Sequence, residues 1–328
     1  MKTALSRAMM IALLYCSLCN ADDMQDRMTF WVSQAFTCTA GGVSFPSKES
    51  TTDPSHCDDG DMTLFNGLLC ASGDARGCDG VKNAQGSDGR WWRSPRKIGV
   101  EARPGTNDQV SFSLDMALGV WLYVVAKQDA ADYRRWAQWI NAKRPCVASF
   151  AGNCLLAGWP RVCTDDFADK GCTFRPTTCN LLELVGNRLS VTEGAICRSV
   201  LKDFQIRADY VIPTTELAAT DALFNEPGFP MHLAATQIFL LERMGLTSVY
   251  TRTGAAMLAL RDMKNPFFVF LAEGPTDRVK NLVLQECPSP ARPSVQRTQW
   301  SWERSSGEEA WRNSMYWDCI FMGHLLGY

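Results

Sequence analysis

Three aspartates stand at the head of apolar segments. Asp61 precedes Met-Thr-Leu-Phe-Asn-Gly-Leu-Leu, Asp115 precedes Met-Ala-Leu-Gly-Val-Trp-Leu-Tyr, and Asp318 precedes Cys-Ile-Phe-Met-Gly-His-Leu-Leu. An aspartate at a helix start ordinarily accepts bonds from free backbone N–H groups and meets the favourable end of the helix dipole. Capping accounts for any one of these residues but not for their recurrence on segments of the same kind. A pair of carboxylates brought to one cleft has a chemistry of its own. One, kept protonated, supplies a proton to the leaving group of a glycoside, while the other activates water or attacks the sugar. Crowding of like charges raises the pKa of one of them. Asp61, Asp115 and Asp318 are therefore the candidate catalytic residues, expected around a single pocket.

Further groups suit substrate binding. The stretch QGSDGRWWRSPRK, Gln85 to Lys97, sets Trp91 and Trp92 beside Arg90, Arg93 and Arg96. Indole faces stack on sugar rings, and guanidinium forks grip carboxylates or sulfates, which would suit an acidic glycan. Asp88 and Arg93 are the loop's leading candidates. The competing reading has the tryptophans plugging the loop onto the body while the arginines pair with local acids, and the sequence leaves both open. Tyr316 and Trp317 close a second aromatic-rich stretch, Thr298 to Asp318. His232, near the start of its own apolar segment, would serve a polysaccharide lyase as base with Tyr316 as partner. No G-x-S-x-G marks a serine nucleophile and no glycine loop matches a nucleotide pattern. No cofactor or metal is expected.

The elements that must carry these residues read as helices. Ser113 to Asp129 is apolar almost all round, as in an inner helix, and AADYRRWAQWINAK follows as an amphipathic outer partner with Trp136, Trp139 and Ile140 on one side. Met231 to Gly245 and Val249 to Met263 repeat the pairing. Gly67, Gly119 and Gly323 stand where such helices would approach closely. This alternation resembles the six-hairpin glycosidase-type superfamily, on Asp61, Asp115 and Asp318, on GVWLYVVAKQDAADYRRWAQWI and on the terminal YWDCIFM. The resemblance implies an all-α fold, a complete or incomplete α/α toroid with long disulfide-tied loops. It also implies acids and aromatics at one rim that bind and cleave polysaccharide.

Residues 1–21 read as a secretory signal peptide: Lys2 and Arg7 precede the apolar run Ala8 to Leu18, and small residues lead to Ala21. Its removal takes two positive charges, so the formal net charge of −2 becomes −4. That balance argues against nucleic acid as a partner, and no other stretch is long and apolar enough to span a bilayer. Twelve cysteines remain after residue 21, an even number that reads as disulfides in an exported chain. Cys70–Cys78 and Cys146–Cys154 are plausible local pairings, and the rest of the connectivity stays open. The expectation is a single domain over residues 22–328, monomeric, secreted or periplasmic. Its first reading is a glycoside hydrolase; the alternatives are a polysaccharide lyase on the same scaffold or a non-catalytic secreted glycan-binding or interaction protein.

Overall fold

The structure, a computed structural model, describes residues 23–50, 55–101, 111–165, 171–196, 214–293 and 316–328. Residues 1–21, expected to be a signal peptide, and residues 298–315 of the aromatic-rich stretch lie outside them. A first helix, α1 (23–34), leads into two small antiparallel pairs. In the first, β1 (Thr37–Ala40) meets β2 (Val43–Pro46) across Gly41 and Gly42, both at positive φ as a tight hairpin turn demands. The second joins β3 (Lys48–Glu49) to β4 (Cys57–Asp58), and the Cys38–Cys57 disulfide staples the two pairs together.

Helices then dominate: α2 (Met62–Ser72), α3 (Ala75–Lys82), α4 (Leu114–Lys127) and α5 (Ala130–Ala142). A third strand pair follows, β5 (Cys146–Phe150) with β6 (Asn153–Ala157). The remaining helices are α6 (Pro176–Arg188), α7 (Thr214–Phe224), α8 (Phe229–Arg243), α9 (Val249–Arg261), α10 (Pro266–Glu273), α11 (Asp277–Glu286) and α12 (Tyr316–Leu325).

The all-α expectation is therefore wrong. Twelve helices share the described residues with three two-stranded antiparallel sheets, a mixed α/β architecture in which no toroid is identified. The strands have two to five residues, too short for period-two alternation to register, and covalent ties help to hold them. α2 and α4 cross with backbones in contact: a Cβ on Gly119 would sit 2.5 Å from Leu64 Cα, and one on Gly67 would lie 2.5 Å from the Gly119 carbonyl carbon. Gly323 on α12 instead makes room for the Met28 side chain of α1. These three glycines are where the sequence places close approach.

The inner and outer division holds for α4 and α5. Met116 through Val125 are all buried, whereas α5 buries Trp136, Trp139 and Ile140 on one side. Trp136 stands edge-on to Trp91 at 5.5 Å between ring centroids, and Phe267 stands edge-on to Phe321 of α12 at 5.2 Å. These rings belong to one hydrophobic core that includes residues of α4, α5, α8, α10 and α12. α1 closes the molecule from the other end of the chain. Its Arg27 donates to the carbonyls of Leu284, Cys287 and Pro288, its Trp31 donates to Pro288 O at 2.8 Å, and its Phe30 packs edge-on against Tyr316.

Five disulfides join described residues, and Cys179 is disulfide-bonded as well. Cys70–Cys78 and Cys146–Cys154 pair as their spacing suggested. Cys287–Cys319 closes the longest loop, 32 residues apart, and loop-entropy arguments assign such a link about 3–4 kcal/mol. Bonds of this number mark a chain that matures in an oxidising environment. No helix among the described residues is long and apolar enough to cross a membrane.

Glu242, in the last turn of α8, has its pKa pushed up to about 7 by burial, with Arg243 acting in the opposite direction. A carboxylate at this end of a helix also faces the negative pole of the dipole. Because the folded protein holds this proton more tightly than the unfolded chain, stability falls as the pH rises from about 4.5 to about 7. Replacing Glu242 by Gln is expected to remove on the order of 1 kcal/mol of that pH dependence, after discounting for solvent screening. Urea unfolding midpoints at pH 5 and pH 8 measure it, and the same slope in both proteins would contradict the assignment.

Candidate functional site

Four helices frame a polar cleft of about 340 Å³. α4 contributes Asp115 from its first turn, together with Leu118 and Trp121. Arg175, at the N-cap of α6, lies on the same wall as Thr173 and Thr178. The C-terminal end of α7 supplies Asp221, and Asn225 follows it one turn on; α8 supplies Leu233 and Gln237. The arrangement follows from local structure. Asn225 donates its backbone N–H to Asp221 O, continuing α7 by a turn, and its side chain donates to Pro230 O at 2.9 Å, fixing the corner into α8.

The cleft brings two carboxylates, Asp115 and Asp221, to one cavity. Burial pushes the Asp221 pKa up, against the opposing charge of Arg175. A site favouring the protonated acid on one of two carboxylates is the arrangement that divides a general acid from its partner. Trp121 adds a third element. It lines the cavity and is fully buried, its Nε1 included.

Of the three candidate aspartates, only Asp115 lines this cavity. Asp61 is buried at the N-cap of α2, in the left-handed region (φ 58°), and its side chain does not cap the helix. It faces Arg93, with Nη1 3.4 Å from Oδ1. Asp318 is buried in the first turn of α12, within the core. The acids before α2 are balanced by cations of the Gln85 to Lys97 segment and by Lys48 of β3. Ser94 donates to Asp59 at 2.6 Å, Arg96 and Lys97 approach the same carboxylate at 3.3 and 3.5 Å, and Lys48 pairs with Asp58 at 3.1 Å.

The tryptophans of that loop face inward as well. Trp91 is completely buried and donates to Val81 O; Trp92 lies beneath the Arg90 guanidinium, 3.8 Å from its ring centroid. Arg90 itself is buried against Asp165 at 2.5 Å, and Asp88 accepts from Trp139 Nε1 at 3.0 Å. Of the two readings of this segment, the structure has the one in which tryptophans plug it and arginines pair with local acids.

His232 is buried between Phe229 and Phe267, its Nε2 3.4 Å from the Thr236 hydroxyl. Tyr316 is buried, which raises its pKa, and Trp317 donates to Phe36 O at 2.7 Å beneath the Arg76 guanidinium. None of these three lines the cleft. Among the described residues, no group of three or more His, Cys, Asp or Glu side chains is placed to hold a metal ion.

Sequence reading missed Asp221, Arg175 and Trp121 as site residues. One signal for Asp221 was present: an acid in the last turn of a helix opposes the dipole, and a disfavoured placement calls for a reason. Fold and cleft together define the chain as a disulfide-bonded mixed α/β protein with a two-carboxylate pocket. Comparison with known proteins adds nothing to that description, since no family model, curated sequence or solved structure matches the chain.

Proposed function

We propose that the chain is an exported glycoside hydrolase whose reaction takes place in the cleft between α4, α6, α7 and α8. The observation that carries this reading is the presence of Asp115 and Asp221 in one cavity floored by Trp121. Asp221, whose proton is favoured by burial, gives it to the glycosidic oxygen as the bond to the anomeric carbon breaks. Asp115 stabilises the positive charge that develops on the sugar, by attacking it directly or by activating a water. The exposed Arg175 suits a uronate or sulfate on the substrate. Elimination draws no support from the site, because His232 is enclosed by aromatic side chains elsewhere.

The test is incubation of the oxidised protein with a panel of acidic and neutral glycans, following new reducing ends together with ultraviolet absorbance from unsaturated products. Reducing ends without that absorbance are the expected result. Both signals together would mean elimination, and neither across the panel would remove the enzymatic reading.

A further inference from the structure

The hairpin β5–β6 stands apart from the body. Every residue of β5 is exposed, as are the first three of β6, and the apolar side chains Val147, Phe150 and Leu155 are 60%, 73% and 70% exposed. Burying no core, such a hairpin needs other means to hold its shape, and it has three. The Cys146–Cys154 disulfide ties the strands, Gly158 N–H donates to Pro145 O at 2.6 Å, and Arg144 clamps the base by donating to the carbonyls of Ala157 and Gly158 at 2.8 and 2.7 Å. A rigid projection tipped with large apolar groups loses little conformational entropy when those groups are buried by something else.

We propose that this hairpin docks the protein onto an anionic bilayer surface. Charge selects that occupant. No charged residue lies between Cys146 and Pro160, whereas Lys143 and Arg144 precede the hairpin and Arg161 follows it, with no acid from Lys143 to Arg161. An uncharged apolar tip above a basic collar matches the acyl boundary below a layer of phosphates, where a few inserted side chains and neighbouring Lys or Arg residues suffice for peripheral attachment. Trp159, half-buried at the base, is the residue type that favours this interface. A protein partner fits less well. The two strands offer ten residues, against the roughly 20–30 per side that a standard protein interface uses.

Sedimentation with vesicles tests the assignment. The oxidised protein is expected to pellet with vesicles containing phosphatidylglycerol, more weakly with phosphatidylcholine alone, and less as salt is raised. The double variant Phe150→Asp/Leu155→Asp should lose association by on the order of tenfold or more. Both positions are exposed, and an unchanged circular dichroism spectrum verifies its fold. As a readout independent of that variant, Phe150→Trp should show a blue-shifted emission with anionic vesicles and quenching by bilayer-embedded quenchers. Absence of wild-type binding, undiminished binding by the double variant, or an unquenched tip tryptophan would each overturn the proposal. So would hairpin-dependent self-association of the protein without vesicle binding.

Discussion

Asp115→Asn and Asp221→Asn are each expected to lower glycan turnover by about 10²–10⁴-fold, the range that positioned proton transfer contributes, with folding intact. The two variants should differ in character. Asparagine at 221 removes the proton donor, so substrates with good leaving groups, such as aryl glycosides, should recover much of the loss. Asparagine at 115 removes the group that meets the developing positive charge, and a better leaving group should not compensate. Both side chains are half-buried in the cleft wall, so the isosteric change leaves packing in place. Steady-state kinetics on natural and aryl substrates separates the two roles. Activity unchanged in Asp115→Asn would remove that residue from the mechanism, and unchanged activity in Asp221→Asn would do the same for the acid.

The second large effect is structural. A glycine inside a helix normally gains stability on replacement by alanine, by up to about 1 kcal/mol. At Gly119 the sign should invert. The new methyl would sit 2.5 Å from Leu64 Cα and closer still to the Thr63 carbonyl, so the contact is with backbone and no rotamer change relieves it. Either α2 and α4 separate, opening gaps along an interface that is buried throughout, or the crossing is lost. Gly119→Ala is therefore expected to destabilise the fold by about 3 kcal/mol or more. Gly67→Ala should behave in the same way from the opposite side. Chemical denaturation at 25 °C measures both, and a cost below about 1 kcal/mol in either would show that the crossing has slack.

Much of the helical framework was legible because its cause is local. An unbroken apolar segment such as Met116 to Val125 satisfies its own backbone bonds and must be covered, so α4 and its amphipathic partner α5 follow from periodicity. The glycines at α2 and α4 were legible for a related reason, since small residues on apolar helices mark where backbones meet, and at α12 the glycine admits a side chain from α1. The sheets were not legible: strands as short as β3 and β4 carry no period and depend on distant cysteines for their place. Nor was the direction of the aspartates. Asp61 opens α2 from a left-handed backbone conformation that turns its carboxylate to Arg93, and Asp318 lies inside the core. Position along a helix was readable for all three, but which neighbour each meets depends on loop geometry. Asp221 escaped because its partners, Arg175 and Asp115, come from other parts of the chain.

The bonds from α1 to the far end of the sequence bear on how the molecule is made. Arg27 and Trp31 find their acceptors on residues 257 to 261 positions later. This helix thus has no seat until the segment carrying residues 284–288 has been made, and until then it waits as an incomplete, loosely held element.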